Sequence, residues 1–244
     1  MKIEKYKYLK QGRYEVIIDN NKYIIYEDII IKNDLLTKKD INKKDLEILL
    51  KDNSFYDAYY KVIKYINLKL RTKKEIEKYL KNNDFDNKTI KNVIDRLKKE
   101  KYLNDEIYSK AYIHDQMILK MIGPNKIKND LIKKGINESI VLKNLDIYTK
   151  GIELEKLNKI IPKLISSNKN KSSYVLKNKI LIDMLNKGFT KEYIIEVIEK
   201  QDFDDSDAYK KEYDKLYKKL SSKYSGSELE YRIKQSLYNK GFRN

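Results

Sequence analysis

One motif occurs four times in this chain at nearly constant spacing, and it limits the fold more than any other feature. The pattern is I-x3-L-x3-G-Φ, where Φ is a large apolar residue. It reads Ile76, Leu80, Asp84, Phe85 in the first copy and Ile127, Leu131, Gly135, Ile136 in the second. The third copy is Ile180, Met184, Gly188, Phe189, and the fourth is Ile233, Leu237, Gly241, Phe242. The starts lie 51, 53 and 53 residues apart. Five and nine residues past Φ the chain is apolar again, at Ile90 and Ile94, Val141 and Leu145, and Ile194 and Ile198. A period of about 52 residues with room for roughly three helices predicts stacked helical units, each burying its apolar face against a neighbour.

The motif describes a helix with a fixed end. With Gly135 at C′ in the left-handed conformation, Ile136 becomes C″ and Leu131 becomes C3, the two residues that pack together in a Schellman cap. Phe189 with Met184 and Phe242 with Leu237 fit the same geometry. Asp84 replaces the glycine in the first copy, so a strained cap or a looser turn is expected there. In MIGPNKIKNDLIKKGIN, Pro124 suits N1, where no amide donor is needed, and Gly123 is a tolerable N-cap. Thr72 and Glu75 form a capping box at the start of the first copy.

The first segment has another period. Tyr14, Val16 and Ile18 alternate with Arg13, Glu15 and Ile17, Asp19-Asn20-Asn21 supplies a turn, and a β-branched and aromatic run follows from Tyr23 to Ile31. This is a hairpin signal. A short helix near Lys44 to Lys51 follows it. From about Phe55 the period is helical, with Val62, Ile63, Ile66 and Leu70 on one face. The expected fold is mainly α: tandem three-helix repeats in an elongated curved array, with a small N-terminal β-hairpin module. The boundaries read as 1–54 for the hairpin module and short helix, then 55–105, 106–150 and 151–205 for three repeats, and 206–244 for a partial fourth.

The formal charge is +17. A polyanionic partner is one explanation, because clustered cations displace the counterions condensed on nucleic acid. An AT-rich coding sequence is another, since 49 of the 54 basic residues are lysine and Ile, Asn and Tyr abound. Location discriminates between them. The excess is +1 over residues 1–57, +10 over 58–150 and +6 over 151–244, and codon bias alone should not leave the first segment neutral.

Catalytic chemistry finds little support. There is no cysteine, and His114 is the single histidine, without companions at metal-ligand spacing. No phosphate-binding glycine loop or nucleophile elbow is present. Asp105-Glu106 and Asp204-Asp205 fall at segment ends, where acids serve as caps. Tyr79, Tyr102, Tyr112 and Tyr148 sit beside apolar residues at helix positions, as core or boundary aromatics do. No cofactor, metal or catalytic residue is therefore assigned, and no apolar run reaches the length of a membrane span. The expectation is a cytoplasmic monomer that is not an enzyme.

Basic helix faces remain. On a helical wheel Lys74, Lys78 and Lys81 cluster opposite Ile76 and Leu80, and Lys126 and Lys133 share the polar side of the second copy. The third copy has Leu181, Ile182 and Leu185 instead, which suggests a helix buried from more than one side.

The stretch from Ala58 to Asp105 resembles the first repeat of the RecX family. It has an Ala-led helix, an R-[ST]-x-x-E start flanked by a further base (Lys69, Arg71, Thr72, Glu75), a long linking helix and a Y-[IL]-x-D ending at Tyr102, Leu103 and Asp105. The next stretch, with its G-P-x-x-I-x-x-x-L-x-x-K-G-I element, is similar to the second repeat. Asp84 and the uncharged Met121, Ile122 and Asn125 depart from the family pattern. The resemblance implies a non-enzymatic regulator that binds the recombinase RecA and its filament on single-stranded DNA and restrains its activity. It adds Lys69 and Arg71 to the five wheel lysines as candidate DNA or RecA contacts. A general nucleic-acid-binding repeat protein and a purely protein-binding scaffold are the competing readings.

Overall fold

A computed structural model describes residues 1–243, which form two compact units, Met1–Tyr108 and residue 109 onward. The first unit opens with three antiparallel strands in the order β1 (Ile3–Tyr8), β2 (Arg13–Ile18), β3 (Asn21–Tyr26). Ile18 pairs with Asn21 across a two-residue turn whose Asp19 and Asn20 have φ of +45° and +64°, as a type I′ turn demands. The expected hairpin is therefore present, and β1 extends it to a meander.

The apolar run after the turn does not stay extended to Ile31. It becomes helix α1 (Glu27–Lys32), with Glu27 and Asp28 in its first turn. Ile29 and Ile30 are both buried while Ile31 is exposed, an arrangement that strand alternation cannot give. A 3₁₀ turn (Leu35–Thr37) leads to α2 (Lys43–Asn67). The short helix expected at Lys44–Lys51 and the first helix of the first repeat are one 25-residue helix, capped by the Asn42 side chain accepting from the Asp45 amide at 2.8 Å. It stops at Asn67, so Leu70 lies past its end and is exposed.

Leu46 and Leu49 of α2 close the sheet core with Val16, Ile18, Ile25, Ile29, Ile30 and Leu35. Farther along, Ala58, Tyr59 and Val62 pack on α3 (Lys73–Lys81) and α4 (Asn87–Lys99) around Ile76, Leu80, Val93 and Leu97. Each such side chain removed from water contributes about 1.5–3 kcal/mol. Buried and half-buried phenols tie the pieces together: Tyr26 donates to Asp57 at 2.9 Å, Tyr60 to Asp28 at 2.8 Å and Tyr59 to Glu100 at 2.6 Å. Burial, the hydrogen bond to Asp28 and its negative charge push the Tyr60 phenol up to about 12.

The remaining copies follow in order. Helices α5 (Asp105–Leu119), α6 (Pro124–Lys133) and α7 (Glu138–Leu145) form the second; α8 (Lys150–Ser166), α9 (Ser173–Asn186) and α10 (Lys191–Glu199) the third. Helices α11 (Ser206–Leu220) and α12 (Gly226–Asn239) make up the fourth. The motif closes the middle helix of every copy in the same way. The Φ amide donates to the C3 carbonyl at 3.3 Å for Phe85 and Leu80, 3.2 Å for Ile136 and Leu131, and 3.1 Å for both Phe189 and Met184 and Phe242 and Leu237. Asp84 forms this cap with φ of +62°, so the first copy keeps the Schellman geometry at the strain of a side chain in the left-handed region.

The glycines of the second and third copies also meet one another. The Gly123 amide donates to the Lys187 carbonyl at 2.9 Å, and the Asn125 amide to the Gly188 carbonyl at 3.0 Å. Two orphan donors at the start of α6 thus satisfy two orphan carbonyls at the end of α9. A Cβ on Gly123 would lie 2.3 Å from the Gly188 carbonyl oxygen, and one on Gly188 would lie 2.2 Å from the Lys126 nitrogen. The next junction is built alike: the Ser172 hydroxyl, at the N-cap of α9, donates to the Lys240 carbonyl at 3.1 Å. A Cβ on Gly241 would come within 2.7 Å of that hydroxyl.

Two buried charges on α8 support the first junction. Glu153 accepts from the Thr190 amide at 2.5 Å and from its hydroxyl at 3.2 Å, capping α10, and burial raises its carboxyl above the usual range. Lys156 donates to the Lys120 carbonyl at 2.7 Å and lies 5.2 Å from the Tyr148 ring, and burial lowers its ammonium.

Candidate nucleic-acid interface

Lys69, Lys74, Lys78 and Lys81 are all exposed in the first copy, three of them on the face of α3 turned away from Ile76 and Leu80. Among the described residues no carboxylate lies within ion-pair reach of Lys69, Lys78 or Lys81, so their charge is available to a ligand. Thr72 and Glu75 make the expected capping box, with the Thr72 hydroxyl accepting from the Glu75 amide at 3.2 Å and Glu75 accepting from the Thr72 amide at 2.9 Å.

Arg71, just before that cap, stacks its guanidinium 3.8 Å from the Tyr65 ring. Tyr65 in turn stacks on Tyr79 at 4.2 Å, with the rings 6° from parallel. The other four arginines each donate to a carboxylate or a carbonyl. The Arg71 Nε is buried and has no acceptor among the described residues. Tyr65 and Tyr79, on two different helices, were not legible as a pair in the sequence. Leu68 and Leu70 are exposed on either side of Lys69.

The second copy does not repeat this face. Lys126 and Lys133 occupy the positions of Glu75 and Asn82. Lys126 forms an ion pair with Asp130 at 3.6 Å, and its backbone is seated against Gly188. Lys133 is exposed. The positions equivalent to Lys74, Lys78 and Lys81 are Asn125, Asn129 and Ile132 in the second copy, and Asn178, Ile182 and Leu185 in the third. In the fourth they are Tyr231, Gln235 and Tyr238.

The third copy corrects an expectation. Its middle helix is not buried on several sides: Ile182 and Leu185 are exposed and Leu181 is only half-buried. The junction with α6 engages the C-terminal turn of α9 and leaves this face open. Tyr102 is likewise exposed, whereas Tyr148 is buried with its hydroxyl on the Ile122 carbonyl at 2.8 Å.

The acidic pairs act as caps or helix starts. Asp105 and Glu106 open α5. Asp204 accepts from the Ser206 amide at 2.9 Å and Asp205 from the Ser173 amide at 2.6 Å. His114 is exposed, no cluster of three or more His, Cys, Asp or Glu side chains could hold a metal among the described residues, and no described helix is long and apolar enough to cross a membrane.

Residues 58–97 match the family model described as RecX, first three-helix domain, and residues 104–143 match RecX, second three-helix domain. The chain is 34% identical over 249 residues to the regulatory protein RecX of Streptococcus agalactiae, covering 99% of this chain and 93% of that one. It is 30% identical over 251 residues to the regulatory protein RecX of Bacillus cytotoxicus, covering 99% and 92%. A crystal structure of regulatory protein RecX shares the fold, with a TM-score of 0.72 at 23% identity over 82% of this chain and 99% of that one. The crystal structure of RecX from Lactobacillus salivarius gives a TM-score of 0.56 at 30% identity over 61% and 96%. With its motif helices, their glycine caps and near full-length likeness to these relatives, the chain belongs to the RecX family.

Proposed function

We propose that this protein binds RecA and its filament on single-stranded DNA and restrains recombinase activity, with Lys69, Arg71, Lys74, Lys78 and Lys81 as the principal contacts to the DNA backbone. The observation that carries this reading is the exposed cationic face of α3, on which Lys78 and Lys81 have no carboxylate within ion-pair reach among the described residues, set beside Arg71 with its unsatisfied Nε, in a chain of the RecX family. Phosphate contacts of this kind give affinity that falls steeply with salt and little dependence on base sequence. Lys126 and Lys133 are weaker candidates, the first because Asp130 already engages it. The protein acts as a monomer in the cytoplasm, without cofactor or catalysis of its own.

RecA ATP hydrolysis on single-stranded DNA, followed while this protein is titrated in, tests the reading. Hydrolysis and filament length are expected to fall together. Unchanged values at concentrations that saturate DNA binding would overturn it. The lysine face also favours a second reading, a general nucleic-acid-binding protein whose effect on RecA is competition for DNA. In that case the charge reversal Lys74→Glu/Lys78→Glu/Lys81→Glu abolishes DNA binding and the RecA effect in parallel, and excess DNA restores RecA fully.

A further inference from the structure

We infer that the outward faces of α6, α9 and α12 form a protein-docking surface, distinct from the lysine face of α3, and that its partner is an uncharged, apolar protein surface presented repeatedly by identical subunits. This rests on the filament reading above, in which RecA supplies such subunits. The first observation is a substitution pattern at structurally equivalent positions. Where α3 carries Lys74, Lys78 and Lys81, the nine matching positions of the other three middle helices carry no charge, in a chain of which 37% is charged. All nine are exposed, and the large ones are well open: Ile132 38%, Ile182 57%, Leu185 40%, Tyr231 66% and Tyr238 60%.

Five of the nine are aliphatic or tyrosine and four are amides. Even with Arg243 over the Tyr238 ring, such a face is a poorer match to a phosphate backbone than the lysines of α3 and a good match to a protein interface core, where charge is depleted and aromatics and arginine are enriched. The bases next to this face are partly engaged already, Lys126 with Asp130 at 3.6 Å and Arg232 with Glu228 at 3.0 Å.

The second observation is continuity. Arg243 lies over Tyr238 of α12 at 3.9 Å and over Tyr174 of α9 at 4.6 Å, so the two helices present adjoining aromatic surface. The third is spacing. Both junctions seat a glycine C-cap against the start of the preceding middle helix, so the three faces recur by a similar operation from copy to copy. A surface that recurs in this way fits a partner that recurs.

The test compares three full-length proteins: wild type, Ile182→Asp/Leu185→Asp and Lys78→Glu/Lys81→Glu. All four positions are exposed, and thermal unfolding checks that each variant folds as wild type does. Binding is read on a labelled oligo-dT alone and on the same strand coated with RecA and a non-hydrolysable ATP analogue. The Asp variant is expected to bind bare strand as wild type does and to lose on the order of tenfold or more on the filament. The Glu variant is expected to lose affinity on both. Filament binding by the Asp variant within about twofold of wild type would overturn the proposal, and so would an equal loss on bare strand, which would assign the face to nucleic acid. Failure of the functional reading shows separately, as a wild-type protein that gains nothing from RecA over bare strand; the docking proposal then falls with it.

Discussion

The middle helices of the first and third copies end in the same turn, yet one ends in aspartate and the other in glycine. Asp84 adopts φ of +62° with its side chain exposed. Gly188 adopts +82° with the backbone of Lys126 pressed against it, 2.2 Å from where a Cβ would sit. The motif glycine thus meets two demands, a left-handed backbone and clearance. An aspartate can satisfy the first at modest strain, because its short polar side chain tolerates that region. Only glycine satisfies the second. A departure from the family pattern at one copy marks a place where clearance is not required.

Substituting Gly188→Ala should break the comparison most severely, since the new methyl group meets backbone and also sits at positive φ. A loss of about 2–5 kcal/mol is expected, visible in urea denaturation of the full chain. Glu153→Ala removes the acceptor for the Thr190 amide in the same copy and should cost about 1–3 kcal/mol.

Glu153→Gln sharpens the point through pH. Burial raises the folded-state pKa of Glu153, so its contribution is fully present below the unfolded value and is lost as pH rises through the folded one. The stability of Glu153→Gln relative to wild type should therefore rise from pH 4 to pH 7, measured as the difference in urea midpoints. A difference independent of pH would mean that the carboxyl is not shifted upward.

The first copy should respond more gently. Thr72→Ala deletes the side-chain half of its capping box and should cost about 1 kcal/mol in thermal unfolding. Asp84→Gly should stabilise by about 0.5–1 kcal/mol, as strain is relieved and nothing fills or vacates space. Destabilisation by Asp84→Gly would show that the carboxylate has a role beyond occupying the turn.

Much of this was legible because it is local. The repeat, the Schellman pairs, the Thr72–Glu75 box and the hairpin turn all join residues a few positions apart, and the structure shows each of them. Strand β1 was missed because a bulge between Ile3 and Lys5 puts its two core-facing residues, Ile3 and Tyr6, out of a period of two. The end of β3 was missed because Ile29 to Ile31 are β-branched whichever way they fold.

The junctions were out of reach for a different reason. Gly123 and Gly188 are 65 residues apart, and each has a sufficient local explanation as a cap. The candidate site divides the same way. The lysine face of α3 follows from helical spacing, whereas the stack of Arg71 on Tyr65 and Tyr79 needs two helices brought together. The openness of Ile182 and Leu185 depends on where the neighbouring copy docks.

Helix α2 has a mechanical consequence. At 25 residues it is a rod about 37 Å long, with Leu46 and Leu49 anchored in the sheet core and Ala58 and Val62 in the core of the first copy. With no break between those anchors, the sheet has no hinge about which to swing against the repeat that bears the lysine face. Amide exchange near the middle of α2 should therefore report whichever core opens first. A ligand held by α3 would slow exchange in strands that it never touches.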